Sequence, residues 1–83
     1  MTNVVSYFKI NCKNVKGWYS GATRIEIYMS RRISAKGLVY DVTEYRYKGR
    51  GIDNVIHHGL GVSYDVARAL FTNEINCLSD IYI

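Results

Sequence analysis

Apolar and polar residues alternate along most of this chain, with one switch to a helical period near the end. Over residues 3–12, Val4, Phe8, Ile10 and Cys12 fall on one face, while Val5, Tyr7, Lys9 and Asn11 fall on the other, which predicts a strand. Residues 13–17 and the Trp18–Gly21 stretch read as turns. A second strand over residues 22–30 places Ile25, Ile27 and Met29 inward and Arg24, Glu26 and Tyr28 outward. Residues 31–37 read as a loop, followed by a third strand over residues 38–47. Leu38, Tyr40 and Val42 share one face of that strand, but Tyr45 and Tyr47 have the opposite parity. Either a bulge near Thr43 turns the face over, or the two tyrosines are displayed outward.

Residues 52–58 fit a short strand or a loop, and Gly59-Leu60-Gly61 then reads as a break. The helical period begins after Ser63, a good N-cap, with Asp65 in the first turn to complement the helix dipole. At roughly 100° per residue, Val66, Ala67, Leu70, Phe71, Ile75, Cys77 and Leu78 share one side of a helix from Ser63 to about Cys77. The tail, Ile81-Tyr82-Ile83, is apolar enough to add a short edge strand or to pack on the core. The pattern therefore predicts an α+β fold: an antiparallel meander of three to four strands, with one C-terminal helix packed on one face. With 83 residues the chain makes a single small domain, 1–83, with one core.

Charge sharpens the picture. Residues 1–52 carry ten basic side chains against three acidic ones, net +7; residues 53–83 carry one against four, net −3. The overall +4 thus conceals a polarised molecule. The basic part ends in Tyr45-Arg46-Tyr47-Lys48-Gly49-Arg50-Gly51, where rings alternate with fixed cations. Tyrosine is frequent throughout, with eight copies. If the strand parities hold, Tyr7, Lys9, Arg24 and Tyr28, with Tyr45 and Tyr47, share the sheet face away from the helix. Cations pair with phosphates, and tyrosine rings stack on bases, so this mixture suits nucleic acid. It also suits a protein hot spot, where Tyr and Arg dominate, or a one-sided sheet using Tyr for β-propensity and Lys/Arg for solubility. Arg31 and Arg32, with Lys36 nearby, could clamp a phosphate backbone or form an ordinary solvated turn.

Chemistry is poorly represented. No nucleophile–histidine, paired-carboxylate or metal-ligand spacing occurs, and the glycines match no phosphate-cradling pattern, so no enzyme, metal or cofactor is expected. His57 and His58 are adjacent, so on a strand they point to opposite faces. Glu74 falls inside the helix's apolar arc, where a charge needs a partner. Either the helix frays there and Glu74 reaches water, or it pairs with an inward arginine or histidine. Cys12 and Cys77 are expected as reduced core residues. No basic segment leading into an apolar stretch opens the chain and no membrane-length apolar run occurs, so a cytoplasmic location and no membrane contact are expected.

Residues 38–77 carry a family resemblance. A strand, a basic turn, a strand ending in His57-His58-Gly59-Leu60-Gly61, and a helix containing Ala67-Arg68-Ala69-Leu70 together resemble the arm-binding domains of phage integrases and related three-stranded-sheet DNA-binding domains. The resemblance implies a sheet laid in the DNA major groove and braced by the helix, with Arg24, Arg46, Lys48 and Arg50 as contacts. This chain departs from it in having an extra N-terminal strand. The expected function is a small non-catalytic binder of nucleic acid or a nucleoprotein complex, using Tyr7, Lys9, Arg24, Tyr28, Arg31, Arg32, Tyr45, Arg46, Tyr47, Lys48 and Arg50. An accessory protein of a phage or mobile element, or an inhibitor of host defence of the anti-CRISPR kind working in the host cytoplasm, would fit. The alternative is a protein–protein inhibitor or homodimeric adaptor that turns the same surface on an acidic partner.

Overall fold

A computed structural model of the chain describes residues 3–12 and 23–82, with side chains as far as Asp80. Four strands, β1 (Asn3–Asn11), β2 (Arg24–Ser34), β3 (Gly37–Lys48) and β4 (Gly51–Val62), precede one helix, α1 (Tyr64–Tyr82). The strands form one antiparallel sheet in chain order, and α1 crosses β2, β3 and β4 on one face. The α+β meander with a packed C-terminal helix is therefore as the pattern predicted. The turns expected between residues 13 and 21 lie outside the described residues.

The central pair is long and regular. Arg24 to Ser34 pair with Tyr47 to Gly37 without a break in register. What reads as a loop from Arg31 to Gly37 is mostly strand, because the turn needs only Ala35 and Lys36. Ser34 closes it: its Oγ accepts from the Lys36 N–H at 3.2 Å and donates to the Gly37 carbonyl at 3.1 Å. At the other end Gly49, at φ 64°, and Arg50 make an equally short turn into β4.

All register shifts fall on the two edge strands, as expected where bulges twist edges away from unwanted pairing. Val5 is the extra residue in β1, and it turns Val4 to the face opposite Phe8, correcting the simple alternation. In β4 the extra residues are Asp53, His58 and the Leu60-Gly61 pair opposite Asp41. Gly59-Leu60-Gly61 therefore does not break the chain: it is the bulged end of a 12-residue strand. Gly61 takes φ 67° and its N–H donates to Asp41 Oδ1 at 2.8 Å.

The core lies between sheet and helix. Ile10, Cys12, Ile25, Ile27, Met29 and Val42 pack under Ala67 and Leu78, with Phe8, Tyr40, Val62, Leu70, Phe71 and Ile75 at its margin. Ser63 caps the helix as predicted, accepting from the Val66 N–H at 3.3 Å. The Tyr40 and Tyr64 rings meet edge to face beside the cap. Three expectations need correction. Val66 and Cys77 are exposed, so only Cys12 of the two cysteines is in the core. The helix also continues through Ile81 and Tyr82, so those residues form no edge strand.

Gly59 explains how closely the helix approaches. A Cβ at this position would sit 2.7 Å from Leu70 Cδ1. Gly59→Val is expected to lower stability by about 1–3 kcal/mol, read as a lower urea midpoint with unchanged slope.

Candidate nucleic-acid interface

The uninterrupted β2–β3 register decides the parity of the two tyrosines. Glu26 pairs with Tyr45 and Arg24 with Tyr47, while Ile27 pairs with Glu44 and Ile25 with Arg46. Tyr45 and Tyr47 therefore lie on the open face, and the bulge near Thr43 belongs to β4 rather than to β3.

On that face the rings make contact. Tyr7 and Tyr28, directly opposite across β1 and β2, stack with centroids 4.8 Å apart and planes 24° apart. Tyr45 meets Tyr28 edge to face at 5.6 Å. Tyr7, on the edge strand, is still 49% exposed, so one end of the ring cluster is open to solvent. The Arg24 guanidinium lies 4.0 Å over the Tyr47 ring, a cation–π contact.

A buried carboxylate organises the centre. Glu26 Oε1 accepts from the Tyr28 hydroxyl at 2.8 Å and from the Tyr47 hydroxyl at 3.3 Å. Arg24 Nε lies 2.9 Å from Glu26 Oε2 as an ion pair, although its N–H is not aligned for a hydrogen bond. The hydrogen bond to Glu26, with burial, pushes the Tyr28 hydroxyl well above the usual phenol range. Burial, with the Glu26 charge, raises Tyr7 as well. The Tyr7 and Tyr28 hydroxyls therefore stay protonated at physiological pH. Beside them runs an open groove of about 300 Å³, lined by Val4, Tyr28, Ser30, Thr43, Tyr45 and Tyr47. Thr43 Oγ1 lies 3.3 Å from His57 Nδ1 across β4.

The cations divide by position. Lys9, Arg24 and Arg32 share the open face with Tyr7, Tyr28, Tyr45 and Tyr47. Arg32 is held by Asp41 through contacts of 2.8 and 3.3 Å. Those hydrogen bonds lead in holding the Asp41 carboxyl below its ordinary range against the effect of burial. Arg31 is exposed near the β2–β3 turn, with the parity of Met29. Lys48 and Arg50 are exposed at the β3–β4 turn. Arg46 does not share the tyrosine face: alternation turns it beneath the helix, where its Nε donates to Glu44 Oε2 at 2.6 Å.

That contact opens a second assembly, between sheet and helix. Glu44 is fully buried. Its Oε1 lies 2.8 Å from His58 Nε2, and the Glu74 carboxyl of α1 comes within 4.8 Å of both. Burial alone would raise Glu44, but hydrogen bonds from Glu74, Arg46 and His58 hold it below the ordinary glutamate range. Burial, with the Glu44 carboxylate, pushes Glu74 up to about 7. Glu74 is therefore half-buried in the helix rather than at a frayed end, but the group it meets is the Glu44 carboxyl, not the arginine or histidine partner expected. His58 turns to this cluster and His57 to the open face, as their adjacency required. Glu44, His58 and Glu74 each present an atom within 4.8 Å of the others, a spacing that divalent cations use. Arg46, however, already supplies positive charge on Glu44, so a guanidinium, an imidazole and two carboxyls share the site as a quartet. Extending the inward alternation from Val42 would have placed Glu44 and Arg46 opposite Glu74; that was the signal available in the sequence.

Compared with protein-family models, curated proteins and solved structures, the chain matches none. The functional reading therefore rests on its own residues.

Proposed function

We propose that the chain is a non-catalytic binding module that engages single-stranded nucleic acid, free or within a nucleoprotein complex, through its open sheet face. The observation that carries this reading is the ring cluster ending in Tyr7, half exposed on the edge strand, where a base can continue the stack. The surroundings support it. The molecule is about 43 Å long, and the hairpin turns at its two ends are both basic: Arg31 and Lys36 at one, Lys48 and Arg50 at the other. A phosphate backbone can run between those ends while bases meet the tyrosines. A duplex hides its base faces, so the rings favour a single strand over the major-groove docking that the integrase resemblance implies. Working as a phage or mobile-element accessory protein against a host nucleoprotein defence, in the host cytoplasm, remains part of the proposal.

A second reading, a protein partner, has its own observation. Arg24 and Arg32 are neutralised by Glu26 and Asp41, leaving the centre of the face close to neutral, as at a protein hot spot. Salt separates the two readings. Binding of a ~20-nucleotide single strand at about 50 mM salt should weaken as salt rises, and Lys48→Ala or Arg50→Ala should each flatten the log–log slope by about 0.7. Absence of binding at low salt overturns the nucleic-acid reading. Tighter binding of the matching duplex overturns the single-strand preference. A concentration-dependent mass without oligonucleotide binding favours a second copy of the chain.

A further inference from the structure

We propose that Glu44, Arg46, His58 and Glu74 form a proton-controlled latch between helix α1 and the sheet, closed while the quartet holds one proton besides the arginine's and loosened when it is lost. The geometry places one member of the quartet on the helix and three on two adjacent strands. Glu44 and Arg46 come from β3, His58 from the β4 bulge and Glu74 from α1, its carboxyl within 4.8 Å of Glu44 and His58, while among the described residues β2 contributes apolar Ile25 and Ile27 opposite them. Two carboxylates and one guanidinium leave a single negative charge. One proton, on Glu74 or His58, cancels it; without that proton the site holds an unbalanced charge around a fully buried carboxylate. Glu74 is the only acidic member on the helix, so charge repulsion there acts directly on helix docking.

The sign follows from linkage. Glu74 is raised to about 7, so its contribution to stability is complete at acid pH and is lost as pH rises towards and through 7. Glu44 is lowered, so its contribution is lost only as pH falls below the ordinary glutamate range. Stability should therefore peak on the mildly acid side.

Thermal unfolding of the intact chain at about pH 5.5 and about pH 8.5 tests this. The expected fall in Tm is roughly 5–10 °C, and Glu74→Gln, which is never charged, should remove most of it. Superimposable pH profiles for wild type and Glu74→Gln would overturn the latch, as would a profile shifted by EDTA, which would assign the site to a metal. Should the variant fail to fold, carbon NMR titration of the Glu74 carboxyl in the wild type decides: a midpoint near 7 supports the latch and one in the ordinary glutamate range refutes it.

Discussion

Glu44→Ala is expected to cost about 3–5 kcal/mol, enough to leave much of the chain unfolded, since small domains hold only about 5–15 kcal/mol in total. The substitution removes the carboxylate that Arg46 and His58 share under the helix, and leaves a cavity at a fully buried position. The cost is that of losing a shared buried acceptor, not the worth of the ion pair. Changing Glu44, Arg46 and Glu74 together to apolar residues of similar volume should therefore recover part of the loss, His58 alone keeping the cost of its lost acceptor. Urea unfolding of the single and triple variants checks both parts. A single variant within about 1 kcal/mol of wild type would mean that the quartet is solvated rather than buried.

The second large effect concerns the open face. Tyr7→Ala is expected to weaken single-strand binding by about 1–3 kcal/mol, the usual contribution of one ring stacked on one base. Because Tyr7 is half exposed on an edge strand, its removal should change the unfolding midpoint little. Tyr28→Ala should lose both affinity and stability, because it also removes the hydroxyl that satisfies buried Glu26. Fluorescence anisotropy with a labelled oligonucleotide, paired with urea unfolding, separates the two behaviours. Equal affinity of Tyr7→Ala and wild type would remove the ring cluster from the binding account.

How far the sequence could be read depended on whether local signals agreed with tertiary ones. Ser63, Asp65 and the spacing from Ala67 to Leu78 all indicate a helix, and it forms where they place it. The central strands were legible because Ile25, Ile27 and Met29 alternate cleanly. The β4 strand was not, because Gly59 and Gly61 normally punctuate. Here β3 offers a full-length partner and the bulges absorb the glycines, one of which also makes room for Leu70. The orientation of Tyr45 and Tyr47 stayed open, since a bulge on either strand gives the same local pattern and only pairing with β2 distinguishes them. Arg46 looked like a surface cation because its neighbours are charged and aromatic. It bonds to Glu44 two residues away, but the groups that complete the cluster, His58 and Glu74, lie 12 and 28 residues further along the chain, beyond the reach of local composition. Cys77 failed for a simpler reason: it lies at the margin of the apolar arc, where the sheet no longer covers the helix.

In the proposed function the tyrosine face, not the helix face, meets a single-stranded nucleic acid. The most direct measurement is a titration of the protein with an oligonucleotide, following the ring-proton resonances of Tyr7, Tyr28, Tyr45 and Tyr47 by NMR. Upfield shifts of these rings are expected, largest for Tyr7, while the exposed side of α1 stays unmoved. Rings that do not shift while residues of α1 do, or no shift anywhere at low salt, would contradict it.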